Sequence, residues 1–374
     1  SSMLINAGHP DSTDSDGTIA DIGAYPYLNS YSGPLWVVEE SSGNDTTGTG
    51  ADDNKFASIQ AAINFSSDGD SVSVWPGTYY ENINFRGRNI KVVGYQWTTG
   101  AYPVIDGNQS GSVVTFDSGE DSTAVLKGFT IQNGLARSGA GIYCENSSPL
   151  LKGLLVKNNE ANDENWSHGG GISFNSGSSR LENSIITGNY AGNQGGGISF
   201  GSDKTVFRNV VIYGNTASEG GGVGSNGQSK AKFINTSIVD NYGNENLYTY
   251  GEDTLSILNS IIISSTDINQ EITMGGPGGG ILDVSYSNIK SGQDSVFVES
   301  GNLVWGSGNI DVDPMFVDTA NGDFHLLADS RLIDAGHPDS TDVDGTIADM
   351  GAYYYDQAGQ PTRILDLIST PSAS

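Results

Sequence analysis

Gly169-Gly170-Gly171-Ile172-Ser173-Phe174 is followed, 26 residues later, by Gly195-Gly196-Gly197-Ile198-Ser199-Phe200. Looser copies flank the pair, Gly139-Ala140-Gly141-Ile142 before it and Gly220-Gly221-Gly222-Val223 after it. A second series alternates with the first. It starts at Leu126-Lys127-Gly128-Phe129-Thr130-Ile131 and continues through Leu151, Leu181, Phe207 and Phe233 at offsets of 25, 30, 26 and 26 residues. The longest offset carries Asn162 to His168 as an insertion. Each period therefore holds two short alternating runs separated by Gly and Asn turns. No such run buries an apolar face alone, so the runs must stack coil on coil, and the architecture this predicts is an all-β parallel β-helix.

Alternation turns Ile172 and Phe174 inward and Ser173 outward, and Ile198 with Phe200 repeats that placement one coil on. Cys144 falls in the Phe174 column, where it reads as a buried apolar thiol. Asn183, Asn209, Asn235 and Asn259 form one column at turn positions, and Asn159, Asn189, Asn215 and Asn241 form another. Asn tolerates left-handed backbone and bonds its neighbours, so both columns read as structural ladders.

Ahead of the coils, Phe56 to Phe65 has apolar residues at helical spacing, with Asp52 or Asp53 near its start. A short amphipathic helix there would cover the open first coil, whose unpaired edge otherwise invites aggregation. Coils are expected from about residue 71 to 317, on the order of ten turns in a rod roughly 45 to 50 Å long. The pattern thins between Thr266 and Gly280.

The composition narrows the partners. The 374 residues include 16 Lys and Arg against 44 Asp and Glu, a formal charge of −28, with 52 Gly and 11 Pro. That balance repels nucleic acid and anionic membrane. A hydrophobic content of 36% with 17 Tyr, 12 Phe and 5 Trp still supplies a core, which argues against disorder. One cysteine makes no internal disulfide, the scattered Cys and His offer no zinc site, and no run of 18 apolar residues spans a membrane. Ser1-Ser2-Met3-Leu4 lacks the basic and apolar regions of a secretory signal, as in a mature chain or one cut from something longer.

A second repeat has a much longer period. Leu4 to Tyr27 and Leu332 to Tyr355 agree at 20 of 24 positions, at an offset of 328. The division this suggests is a tail-like segment over 1–32, an N-terminal strand, acidic loop and capping helix over 33–70, coils over 71–317, a closing segment over 318–358 and a linker-like tail over 359–374. Each copy gathers carboxylates: Asp11, Asp14, Asp16 and Asp21 in one, Asp339, Asp342, Asp344 and Asp349 in the other, with Gly17 or Gly345 at the bend. Calcium wants several oxygens at one point, and close acids repel one another unless neutralised, so structural calcium is expected here. The competing interpretation is an Asp-Gly turn carrying solvated acids.

Trp36-Val37-Val38, Phe56-x-x-Ile59-Gln60-Ala61-Ala62-Ile63, Gly69-Asp70-x-Val72 and Pro76-Gly77-Thr78-Tyr79-Tyr80-Glu81-Asn82-Ile83 together resemble the opening of secreted bacterial right-handed parallel β-helix proteins of the pectate-lyase-like superfamily. Asp311-x-Asp313-Pro314-x-Phe316-Val317-Asp318, Gly322 to Leu326 and Ile333 to Tyr353 resemble the closing segment of surface-anchored proteins labelled choice-of-anchor. The Gly- and Asn-rich coils are also similar to passenger repeats of polymorphic outer-membrane adhesins. The resemblance implies export and extracellular or cell-surface residence; it implies no activity, since that superfamily spans lyases, hydrolases and adhesins.

A polyuronate lyase needs a basic residue beside calcium-binding acids, and a hydrolase needs two carboxylates at a set separation. Lys127, Lys152, Glu182 and Arg208 occupy equivalent positions in successive coils. They read either as one wall of a carbohydrate groove or as a solvated charge ladder. The paired Asp, His-Gly and Arg-x-Lys pattern of polygalacturonases is absent, and His9, His168, His325 and His337 pair with no nucleophile, so no catalytic residue is nominated. Trp166, with Tyr248 and Tyr250, sits in loops where an aromatic face could stack on a sugar. The sequence thus points to an extracellular structural or adhesive module, calcium-stabilised, self-associating head to tail or in tandem as a filament, with polysaccharide as a further candidate partner. The alternative is a lyase or hydrolase acting on an acidic polysaccharide.

Overall fold

The computed structural model describes residues 33–357 apart from 97–99, 101, 164, 165, 226, 266, 267 and 269, together with 5, 7–9, 12–14 and 19–23. Asp11, Asp16 and the 359–374 tail lie outside the described residues.

The alternating runs form a parallel β-helix. Eleven strands, from Leu35–Val38 to Gly301–Trp305, stack in the longer sheet. Nine more, from Ile83–Asn84 to Val296–Val298, stack in the second, and three two-residue strands make a third face. These two counts bracket the ten turns expected, and at one strand separation per coil the longer stack measures about 48 Å. Among the described residues the only named antiparallel pair is Phe316–Asp318 with Asp323–Leu326.

Register follows the columns in the sequence. Cys144 pairs with Phe174 and Phe174 with Phe200, all buried. Asn183, Asn209, Asn235 and Asn259 take φ between +49° and +55° at the bend in the longer sheet. Asn159, Asn189, Asn215 and Asn241 point inward instead: each Nδ2 donates to the next Oδ1 at 2.9 to 3.0 Å, and the chain passes through Asn246, whose Nδ2 donates to Glu271 Oε2 at 2.7 Å. Ser173 and Ser199 are outward by alternation yet almost wholly buried, because the turn before each Gly triplet folds over them: Ser138 Oγ donates to Ser173 Oγ at 3.4 Å.

The helix runs over Ile59–Phe65, three residues shorter at its start than expected. Its N-cap is Ser58, not Asp52 or Asp53, and the Glu81 carboxylate accepts Ile59 N and Gln60 N at 2.8 and 2.9 Å. It packs Phe65 against Phe56 at 5.2 Å between ring centroids, with Trp36 beside both. The stack already begins ahead of the helix, at Leu35–Val38, which pairs with Ser71–Val74.

After Ile310, which still bridges Asn288 in parallel, the chain leaves the rod and runs back along its flank as a strap. Met350 and Leu332 pack on Ile261, and Ala352 and Tyr353 pack with Ile185, Val211 and Val239. Ile185, Val211, Ser237 and Ile261 are one outward column of the longer sheet. Without the strap that apolar column would face water.

Candidate functional site

The residue before each Gly-rich turn defines a further column. Parallel bridges link Ser138 to His168, His168 to Gln194 and Gln194 to Glu219. Beside it lies a groove of about 560 Å³ lined by Trp166, His168, Gln194, Glu219, Tyr248 and Tyr250 among others. The Asn162 to His168 insertion projects Trp166, which is 61% exposed, and its ring lies 6.0 Å from His168. Tyr250 closes the other side, 42% exposed.

The groove's floor is polar and acidic. Gln194 Nε2 donates to Glu219 Oε2 at 2.8 Å. Glu245, behind Glu219, is buried and accepts Gly220 N at 2.7 Å; burial lifts its carboxyl to about 7, and the neighbouring Glu219 adds to the shift. Burial also holds His168 below its usual range, Arg137 adding to that and Glu219 opposing it, and its Nδ1 is enclosed without a partner. Tyr248 is raised to about 12, by burial first and then by Glu219 and Glu245. The arrangement offers stacking faces, hydrogen-bonding side chains and two neighbouring carboxylates, one favouring its neutral form.

The four residues proposed for carbohydrate do not form one site. Trp166 borders this groove, whereas Lys127, Lys152 and Arg208 lie in register on the longer sheet. Lys152 Nζ meets Glu182 Oε2 at 3.3 Å, so that column behaves as a charge ladder. Arg208 lines a groove of about 520 Å³ between the rod and the strap residues Ser340 to Val343. His168, Glu219 and Glu245 carried the missed signal: two of them precede Gly triplets in register, a position hidden while only the apolar columns are followed.

In the strap, backbone amides take the carboxylates expected to bind calcium. Asp342 Oδ2 accepts Asp349 N at 2.8 Å, Asp349 accepts Asp334 N and Tyr355 N at 2.7 and 2.6 Å, and Asp344 accepts Thr346 N at 3.1 Å. Asp339 is exposed, its N–H donating to His337 Nδ1. Burial lifts Asp342 to about 6 and Asp349 to about 7, with neighbouring acids adding to both. In the first copy, Asp14 accepts Asp21 N at 2.9 Å. Among the described residues no three His, Cys, Asp or Glu side chains gather as a ligand set.

No family model and no curated protein matches the chain. Among solved structures, the pectin methylesterase from Aspergillus niger, in deglycosylated form, is 12% identical over 76% of this chain and 85% of that one, with a TM-score of 0.28. An overlap this loose assigns no chemistry to the groove; the parallel β-solenoid stands on its own strand topology. No helix among the described residues is long and apolar enough to cross a membrane.

Proposed function

We propose that this chain is an extracellular or cell-surface adhesive β-helix module that holds a polysaccharide along the Trp166 groove. The observation that carries this is the groove itself, in which exposed Trp166 and Tyr250 flank the Gln194–Glu219 pair on a rigid sheet edge. Aromatic faces stack on pyranose rings while amide and carboxylate groups bond their hydroxyls. Calcium at the strap loop and rods arranged in tandem or head to tail complete the reading, supported by the mutual repulsion of Asp342, Asp344 and Asp349 and by the duplicated segment. The test is binding to a panel of neutral and acidic polysaccharides by titration calorimetry. Trp166→Ala should weaken binding at least about tenfold, the loss of one well-packed aromatic contact. Unchanged binding in that variant, or none across the panel in the native protein, would sink the proposal.

A second reading, hydrolysis, is favoured by one observation: Glu245 holds its proton near neutral pH beside Glu219. A glycosidase works with two carboxyl groups, one of them an acid whose pKa its surroundings raise. Release of reducing ends that disappears in both Glu219→Gln and Glu245→Gln would establish it. Appearance of unsaturated uronate absorbance would point to a lyase. Binding with no product in any assay favours adhesion.

A further inference from the structure

The duplicated segment is one element in two surroundings. In the second copy Gly336 N donates to Ala348 O at 2.8 Å, Ala348 N donates to Ser340 O at 2.9 Å, and Thr341 bridges Ile347. In the first copy Gly8 N donates to Ala20 O at 2.7 Å, Ala20 N donates to Ser12 O at 2.8 Å, and Thr13 bridges Ile19. The same bonds form in both, so the local sequence fixes this shape without help from what it rests on.

What differs is the edge each copy presents. Met350 is 1% exposed, and its counterpart Ile22 is 53% exposed. A Cβ built on Gly351 would stand 2.7 Å from Ile261 Cδ1, whereas one built on Gly23 meets nothing within 4 Å. The second copy is held to the flank by polar contacts as well: Asn259 Oδ1 accepts His337 N at 2.8 Å, Asn259 O accepts Gly351 N at 2.8 Å, and Ser237 Oγ accepts Ala352 N at 3.0 Å. At the start of the first copy, Ile5 seats in the rod's main core cluster. Its docking edge is formed and turned outward.

We propose that the first copy is a second strap, and that its Ile22–Gly23 edge binds the flank of another copy of this rod, on the Ser237, Asn259 and Ile261 positions that the second copy covers in its own chain. This rests on the head-to-tail part of the proposed function and names its interface. The occupant follows from identity: 20 of 24 residues are shared, and Ile22 replaces Met350 with another apolar side chain of similar size, so a flank shaped for one copy receives the other. Within one chain the attached strap has the advantage of effective concentration, so the contact between molecules forms where a flank is open or its own strap is displaced. Because the donor edge and the acceptor flank are different surfaces, the contact is heterologous and extends into a filament unless rotation closes it.

The experiment uses the full chain in sedimentation velocity at micromolar concentration. Met350→Asp puts a charge into the buried strap contact and opens the flank; Gly351→Val, whose Cβ would collide with Ile261, is an independent route to the same state. Both variants should pass from single rods to dimers and longer species while keeping the β-sheet circular dichroism of the native chain. Adding Ile22→Asp to either should return single rods. Association that persists with Ile22→Asp overturns this interface and leaves head-to-tail assembly through another surface standing. Folded single rods in Met350→Asp and Gly351→Val overturn this interface, and if the native protein also forms no filaments the head-to-tail reading falls with it.

Discussion

Asn189 Nδ2 donates to Asn215 Oδ1 at 2.9 Å across one coil step, and the same oxygen accepts Asn189 N at 3.0 Å. Asn215 is wholly buried, so no water replaces that acceptor. Asn215→Ala should therefore strand a backbone donor and cost roughly 2–4 kcal/mol, an orphaned buried amide plus a small cavity. Asn209, by contrast, stands at φ +55° on the outer bend, where Gly adopts the same backbone freely. Asn209→Gly gives up only the partly buried bond from Asn209 Nδ2 to Asn183 Oδ1 at 2.9 Å and should cost about 1 kcal/mol. Chemical denaturation of both variants checks the contrast; equal losses would mean the inner ladder is no special support.

Acidification should stabilise the protein. Burial raises Glu81, Glu245 and Asp349 to about 7 and Asp342 to about 6, all above their values in an unfolded chain. Between about pH 4.5 and 7 the folded state thus binds more protons than the unfolded one, and stability falls as pH rises through that window. Each deeply buried group should contribute on the order of 1 kcal/mol, less for the half-buried Asp342. Melting temperature should rise from pH 8 to pH 5, and Glu245→Gln should flatten part of the slope. A melting temperature that drops on acidification over this range would contradict the burial of these carboxyls.

The strap loop makes calcium a separable question. If the ion neutralises Asp342, Asp344 and Asp349, excess calcium should stabilise the folded state, by about 2.7 kcal/mol at a hundred times Kd, and raise the melting temperature with it. Asp342→Asn should lose that rise. No shift with calcium in the native chain would leave the loop held by its amide donors, Asp334 N, Thr346 N and Asp349 N among them.

The sequence made some of these features legible and concealed others, for physical reasons. Columns that recur every coil, such as Phe174 with Phe200 or Asn189 with Asn215, can be read because stacking forces equivalent residues into register. The strap's place could not be read that way. Ile185, Val211 and Ile261 lie outward by alternation, and only the chain that returns after the last coil makes them buried. The groove was half legible: Trp166 marks an insertion, but Glu245 acquires its role from burial behind Glu219, which periodicity does not encode.

The Gly triplets tie the fold to the groove. A Cβ on Gly170 would lie 2.2 Å from Tyr190 O and 2.5 Å from Gly196 O, and one on Gly196 would lie 2.4 Å from Thr216 O and 2.5 Å from Gly221 O. These oxygens are backbone atoms of the following coil and cannot yield without shifting it, so Gly170→Ala should cost roughly 3 kcal/mol, the upper range for overpacking. Gly279, where an added Cβ meets nothing within 4 Å and φ is not left-handed, is the control. There Ala should be neutral or stabilise by up to about 1 kcal/mol, through the unfolded chain. Since Gly169 and Gly170 directly follow His168, the strained coil should also displace that side chain from its place beside Gln194 and weaken any glycan held in the groove. Denaturation and glycan titration of Gly170→Ala, Gly196→Ala and Gly279→Ala test both effects together. Full stability in the first two would show that the triplets are dispensable to the turn, and lost stability with intact binding would separate the turn from the groove.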